Sequence, residues 1–110
     1  MTINEMQRTV DTWIREVGGG YFSELTNMVL LTEETGELAR VVARVYGDQV
    51  AKESDGLNGD AKEKLGEEIA DVLWVLTCIA NQTGINLEDA FAATLRKKSE
   101  RDRNRFLKRN

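Results

Sequence analysis

The sequence predicts an all-α fold, and three observations support that prediction. The chain has 110 residues and no proline, so no residue interrupts a helix from within. Apolar residues recur at spacings of three and four, the period of an amphipathic helix. No segment alternates apolar and polar residues as a strand would, and no repeat of fixed period is convincing. We therefore expect a four-helix bundle in which residues 1–110 form a single domain.

The first two helices have recognisable start and stop signals. Thr2 can cap the first helix, with Glu5 reaching back to complete a capping box, and a run of three glycines ends it. Ser23 can cap the second helix, which we expect to continue to about Tyr46 before Gly47. The apolar stripe of the first helix consists of Ile3, Met6, Val10, Trp13 and Val17.

The second half of the chain also predicts two helices, which follow a loop. Residues 47–60 are polar and contain glycine, which predicts a loop. Asp60 can cap a third helix that ends near Gly84, and Asn86 can cap a fourth. The fourth helix has acids in its first turn and bases in its later turns, the order that the helix dipole favours.

The composition excludes several kinds of active site. The chain has no histidine and a single cysteine, Cys78. A Ser-His-Asp triad, a Cys-His pair, a His-ligated zinc, a histidine-containing di-iron site and an internal disulfide are therefore excluded within one chain. Any metal must be held by carboxylates, which suit a hard cation such as Mg²⁺ or Mn²⁺.

Charge is unevenly distributed along the chain. Residues 1–89 carry 17 acidic and 7 basic side chains, whereas residues 90–110 carry 2 acidic and 8 basic ones. An acidic body argues against a nucleic-acid partner, while the basic end could hold a polyanion or be a solvated helix face. The longest apolar stretch, residues 72–80, is too short to span a membrane, and no export signal is visible. We expect a cytoplasmic protein without a membrane partner.

Carboxylates interrupt the apolar seams of two helices at matching positions. Glu34 stands where the second helix should present an apolar residue, and Glu68 does so in the third. Glu37 and Asp71 follow three residues later, so each pair projects from one side of its helix. Two pairs facing inward would repel each other, and a divalent cation would remove that cost. The alternative is that these acids belong to solvated helix faces.

Two glycines lie inside helices beside these acids. Gly36 and Gly66 each cost helix stability relative to alanine. They could allow close helix approach or access for ligand phosphates, or they could simply be tolerated.

Five segments together resemble a known family. Nearly the whole chain is similar to the MazG-like nucleoside triphosphate pyrophosphohydrolases, whose paired acidic motifs are the most specific feature. The matching segments are Tyr21–Asn27 (YFSELTN), Glu33–Glu37 (EETGE), Glu67–Asp71 (EEIAD), Val72–Leu76 (VLWVL) and Lys97–Arg103 (KKSERDR).

The resemblance implies an all-α enzyme that hydrolyses an NTP or dNTP to the monophosphate and pyrophosphate. It also implies Mg²⁺ as cofactor, with Mn²⁺ as a substitute, a homodimer or homotetramer, and a role in cleansing the nucleotide pool. By position, Glu33 and Glu67 would orient or deprotonate water, contact the metal's ligands, or bind a further metal. The metal ligands carried over from the family are Glu34, Glu37, Glu68 and Asp71. Relatives often have histidine where this chain has Phe106.

Candidate substrate contacts lie in the basic helix and among the aromatic residues. Lys98, Arg101 and Arg105 share one helix face and could clamp a triphosphate, or they could be solvated or pair with neighbouring acids. The candidates for stacking on the base are Trp13, Tyr21 and Phe22.

Trp13, Trp74 and Cys78 also have structural interpretations. Trp13 lies on an apolar stripe, and we expect it in the core rather than against a base. Trp74 is expected in the core or at a subunit interface, and Cys78 as a buried, inert thiol. A competing hypothesis for the whole chain is a non-catalytic helical interaction module with an acidic body and a basic docking helix.

Overall fold

Four helices make up most of the described part of the chain. The structure, a computed structural model, describes residues 1–48 and 60–107, apart from the side chains of residues 104, 106 and 107. The helices are α1 (Ile3–Glu16), α2 (Glu24–Tyr46), α3 (Ala61–Thr83) and α4 (Leu87–Leu107). The described residues contain no strand, so the all-α prediction is confirmed. Most of the predicted loop at 47–60, namely residues 49–59, lies outside the described part of the chain.

The helix starts follow the local capping signals. At every predicted cap the side chain accepts a hydrogen bond from a backbone N–H of the first turn, at 2.9–3.1 Å. These caps are Thr2, Ser23, Asp60 and Asn86. The predicted capping box is only half formed. Among the described hydrogen bonds, the Glu5 N–H donates to the Thr2 hydroxyl, but none joins the Thr2 N–H to the Glu5 carboxylate, so the prediction of that second bond is wrong. The C-cap of α1 is Val17, and Gly19 and Gly20 follow with positive φ.

Helices α2 and α3 form the central antiparallel pair. Near one end of the pair, the Asn27 amide of α2 donates to the Gln82 side chain of α3 at 2.7 Å. Farther along, Glu34 of α2 meets Glu68 of α3. The residue numbers rise along α2 as they fall along α3, so the two helices run in opposite directions. This pairing brings the two acidic motifs to the same level.

A polar side chain of α1 connects α1 to the turn between α3 and α4. The buried Gln7 amide donates to Asn81 at 3.0 Å and to the Ile85 carbonyl at 2.9 Å. Its carbonyl accepts from the Leu87 N–H at 2.9 Å. Both ends of the side chain are therefore satisfied, as a buried amide requires.

The apolar faces are only partly covered within one chain. Val10 and Val75 are buried, but Trp13 is 45% exposed, Phe91 65% and Leu95 58%. The prediction that Trp13 lies in the core is therefore wrong for the single chain, because periodicity identifies an apolar face without showing what covers it. Cys78 is buried as expected. No helix of the described ranges has the length and hydropathy needed to cross a membrane.

Candidate active site

Three carboxylates converge between α2 and α3. Glu34, Glu37 and Glu68 each place one oxygen within 4.8 Å of the other two. Glu34 is half-buried, Glu37 exposed and Glu68 buried. The group therefore has one deep member and an open side, as expected of a site that admits a ligand from solvent.

Burial and neighbouring negative charges act on Glu34. Burial, first of all, and then the negative charges of Glu37, Asp71 and Glu68 raise the pKa of Glu34. Asp71 is not one of the three converging carboxylates, yet it lies near enough to act on Glu34. The structure thus brings three of the four expected ligand residues together and leaves Asp71 at the edge.

Glu68 has one paired and one unpaired oxygen. The Glu68 residue as a whole is 5% exposed to solvent. Oε1 lies 3.2 Å from the Lys64 ammonium, whereas Oε2 is buried and has no hydrogen-bond partner among the residues that the structure describes. The ion pair with Glu68 raises the pKa of Lys64. A buried oxygen without a partner is costly, so this atom indicates a site made for a further donor or a cation.

The expectation that the two acid pairs, Glu34 with Glu37 and Glu68 with Asp71, face inward is wrong in part. Glu34 is half-buried and Glu68 buried, whereas Glu37 and Asp71 are exposed, as are Glu33 and Glu67. A pair spaced by three residues shares a side of its helix, but about 100° of rotation per residue leaves the members at different depths. Glu67 lies 3.7 Å from Lys64, and Glu33 is outside the converging group.

The two helical glycines beside the motifs face open space. A Cβ at Gly36 or Gly66 would meet no described atom within 4 Å beyond the glycine's neighbours and its own helix backbone. Close approach between the described helices of one chain is therefore not their reason. The side on which they lie is accessible from solvent, which leaves room for a ligand beside the carboxylates.

An apolar cavity lies farther along the same helix pair. Its volume is about 290 Å³, and all three base-stacking candidates line it. Trp13 and Trp74 meet edge to face there, with ring centroids 5.3 Å apart. The other lining residues include Asn27 and Leu30 of α2, and Val75 and Cys78 of α3.

The side chains of this wall are held by hydrogen bonds. The Tyr21 hydroxyl donates to Asp11 at 2.6 Å and accepts from the Asn81 amide at 3.1 Å. Burial and the bond to Asp11 raise the pKa of Tyr21 to about 12. The Gln82 amide donates to the Phe22 carbonyl. The ring of Tyr21 is thus fixed, while Phe22 remains 63% exposed.

The basic residues of α4 lie on a solvated helix. Arg101 pairs with Asp102 at 2.9 Å, and Arg105 approaches the same carboxylate at 3.6 Å. Among the described residues, no hydrogen bond or ion pair joins Lys98 or Arg101 to the acidic motifs. The structure therefore does not bring these expected phosphate contacts to the carboxylates of the same chain. The Phe106 side chain lies outside the described residues.

Sequence reasoning missed several residues of the site. Lys64 was detectable from its position four residues before Glu68, a spacing that places two side chains on one helix face. Asn27 gave a weaker signal in the sequence, an amide on an otherwise apolar helix face; the structure shows that it is buried. The tertiary position of Trp74 beside Trp13 could not be inferred from spacing.

The comparison with known proteins decides the family. The family model of the MazG nucleotide pyrophosphohydrolase domain matches residues 22–106, which include both acidic motifs. The chain belongs to the MazG nucleotide pyrophosphohydrolase family. It is therefore a hydrolase of the MazG type.

Similar proteins are known from Bacillus subtilis. The uncharacterized protein YpjD is 40% identical over 108 residues, which cover 98% of this chain and 93% of YpjD. The uncharacterized protein YvdC is 31% identical over 97 residues, covering 83% and 91%.

Two crystal structures share the MazG fold. The structure of B. subtilis YpjD matches with a TM-score of 0.77 at 41% identity, covering 88% of this chain and 94% of that one. The structure of a Bacillus-conserved MazG protein, a nucleotide pyrophosphohydrolase, matches with a TM-score of 0.72 at 39% identity, covering 88% of both chains.

Proposed function

We propose that the protein hydrolyses a nucleoside triphosphate, an NTP or dNTP, between the α and β phosphates. The products are the nucleoside monophosphate and pyrophosphate, and the reaction depends on Mg²⁺, with Mn²⁺ as a substitute. The observation that carries this proposal is the group of three carboxylates, in which a buried oxygen of Glu68 has no partner within the described ranges. The family membership supplies the reaction class.

The donor set fits a hard divalent cation. Glu34, Glu37 and Glu68 offer only carboxylate oxygens, which Mg²⁺ prefers, and Asp71 stands beside them. A bound Mg²⁺ supplies charge neutralisation on the phosphate oxygens and a more acidic water. The unpartnered Glu68 oxygen then no longer faces the cost of burial without a partner.

The exposed acids of the two motifs have a different role in this proposal. Glu33 and Glu67 are exposed, and each is the chain neighbour of a carboxylate in the group, Glu34 and Glu68 respectively. Either can orient the attacking water and accept its proton, since carboxylates are competent general bases when they lie within hydrogen-bond reach. Glu67 is already drawn toward Lys64, which leaves Glu33 the less restrained of the two.

The aromatic cavity suits the base of the same nucleotide. Asn27 precedes Glu34 by seven residues, and Val75 follows Glu68 by seven, so the cavity and the carboxylates are about 10 Å apart along both helices. An aromatic wall can stack on any base, and a fixed amide can hydrogen-bond its edge. A base against Trp13, Tyr21 and Phe22 would thus place its phosphates toward the acidic motifs.

The exposed faces support a homodimer or homotetramer. The radius of gyration is 17.5 Å, against roughly 13 Å for a compact chain of about 100 residues. Exposed apolar side chains on α2 and α4, including Leu25 and Phe91, remain available to a second copy. Lys98, Arg101 and Arg105 could bind the triphosphate when subunits assemble. We propose that this assembly works in the cytoplasm on free nucleotides, with neither nucleic acid nor membrane as partner.

The experiment is an assay for monophosphate and pyrophosphate release across a panel of NTPs and dNTPs. Glu34→Gln and Asp71→Asn should abolish Mg²⁺-dependent release while leaving the helical content unchanged. Glu63→Gln, in the exposed first turn of α3, is the matched control and should keep full activity. If both site variants keep wild-type activity, the assignment of the metal ligands is wrong.

A thermal melt separates this proposal from a non-catalytic interaction module. Mg²⁺ together with a non-hydrolysable nucleotide analogue should raise the melting temperature, because a ligand that binds the folded state stabilises it by mass action. An interaction module without a nucleotide site would not respond.

A further inference from the structure

Lys64 makes the ion pair that reaches deepest into the carboxylate group. Its ammonium lies 3.2 Å from Glu68 Oε1 and 3.7 Å from Glu67 Oε2. The Lys64 side chain is 33% exposed, whereas the Glu68 side chain is 6% exposed. Among the described residues, this mostly buried carboxylate thus has one cationic partner, whose side chain also reaches solvent.

Helix stability does not account for this lysine. Lys64 is the fourth residue of α3, near the end where the helix dipole disfavours a positive charge. It also precedes Glu68 by four residues, the less favourable order for an acid–base pair on a helix. A lysine here is better explained by the carboxylates that it faces.

The converging carboxylates need a counter-ion whenever no metal is bound. Glu34, Glu37 and Glu68 lie within 4.8 Å of one another, and burial of one member makes an unpaired charge costly. The Lys64 ammonium neutralises part of this charge and leaves Glu68 Oε2 without a partner. One oxygen of the deepest ligand is thus occupied and the other is open.

We propose that Lys64 is the resident counter-ion of the metal-free site and competes with the divalent cation for Glu68. This inference rests on the proposed function, since it assumes that the carboxylates bind a divalent cation. Lys64 then acts as a positioning residue that keeps the carboxylates together before the metal arrives. On metal binding its ammonium withdraws to solvent, which its one-third exposure allows.

Competition predicts effects of opposite sign on folding and on metal affinity. Removing the Lys64 charge should lower the melting temperature of the metal-free protein, because Glu68 loses its counter-ion. The same change should strengthen metal binding, because a positive charge leaves the neighbourhood of a dication. At roughly 6 Å, repulsion between a unit charge and a dication, even with the dielectric constant of water, corresponds to about tenfold in Kd. A lysine with only a structural role would weaken metal binding when removed.

The test compares Lys64→Met with Lys62→Met in the intact chain. Lys62 is exposed on the same helix and two residues away, so it does not share the face of Lys64. Mn²⁺ binding is measured by electron paramagnetic resonance and Mg²⁺ binding by calorimetry. The melting temperature is measured in chelator and again with metal. Lys64→Arg, which keeps the charge, should return Kd to within about threefold of wild type.

The expected result for Lys64→Met is a Kd for the metal ion about tenfold lower than that of wild type. Its melting temperature should be lower in chelator and should rise by more when metal is added. Lys62→Met should match the wild type in all three measurements. If wild type and Lys64→Met bind metal equally, or the variant binds more weakly, the inference is overturned while the metal site stands. If neither protein binds Mg²⁺ or Mn²⁺, the inference falls together with the proposed function.

Discussion

Replacing Glu34 with glutamine should stabilise the metal-free protein while removing its response to metal. Glu34 has Glu37 and Glu68 within 4.8 Å. At that distance, each pair of like charges costs about 0.9 kcal/mol with the dielectric constant of water. Glutamine keeps the shape of the side chain and removes both repulsions, for a gain of about 1–2 kcal/mol. In a domain of this size the melting temperature should rise by about 5–10 °C.

The assay is thermal unfolding followed by circular dichroism, first in chelator and then with saturating Mg²⁺. Protein concentration is held constant, because subunit association would make the melting temperature depend on it. Wild type should gain stability with Mg²⁺, and Glu34→Gln should gain little. Glu16→Gln, an exposed acid at the end of α1, is the control and should change stability by less than about 0.5 kcal/mol.

The pH dependence provides a second check on the same substitution. The pKa of Glu34 is raised by burial and by its acidic neighbours. Folding therefore favours the protonated form, and the metal-free protein loses stability as the pH rises through that raised pKa. Below the ordinary glutamate pKa of 4.5, where Glu34 is protonated in both the folded and the unfolded chain, the advantage of Glu34→Gln should disappear. A metal-free variant less stable than wild type at neutral pH, or an unchanged Mg²⁺ response, would refute the reasoning.

Three other predictions test the scaffold. Gln7→Leu removes three side-chain hydrogen bonds at 2.9–3.0 Å, so urea unfolding should show a loss of about 2–4 kcal/mol. Folding raises the pKa of Tyr21 from 10 to about 12, so the stability that its hydroxyl contributes is fully present below pH 10 and is lost as the pH rises through 12. Tyr21→Phe should lack this loss of stability, which unfolding measurements and tyrosinate absorbance between pH 10 and pH 12 will check. Gly84→Ala, at φ +72°, should cost about 1–2 kcal/mol in thermal unfolding, whereas Gly36→Ala in α2 should stabilise the metal-free protein by about 0.5–1 kcal/mol.

The helix starts were predictable because their signals are local. Each cap needs only one short side chain and the backbone N–H groups two or three residues later. The end of α2 before Gly47 followed in the same way. The missing return bond from Glu5 is also instructive, because its long, exposed side chain gains little from a bond that water can replace.

The depth of each side chain was less predictable than its face. Trp13 and Trp74 both follow apolar periodicities, yet both remain exposed by more than a third and meet at the rim of a cavity. Periodicity defines the apolar side of an isolated helix, whereas burial depends on where another helix crosses it. Glu37 and Asp71 show the same limit in the candidate site, since spacing assigned their side of the helix but not their exposure.

Buried apolar residues on both sides of the carboxylates can keep α2 and α3 paired without a metal. Val41 lies two helical turns beyond Glu34 on α2, and Val75 lies two turns beyond Glu68 on α3. Because the helices are antiparallel, these two buried residues flank the acidic level from opposite ends. Burial of the two valines together contributes about 3–6 kcal/mol, which exceeds the repulsion of about 1–2 kcal/mol on Glu34. Helix pairing therefore does not require the cation, and the ligand oxygens are already gathered when it binds.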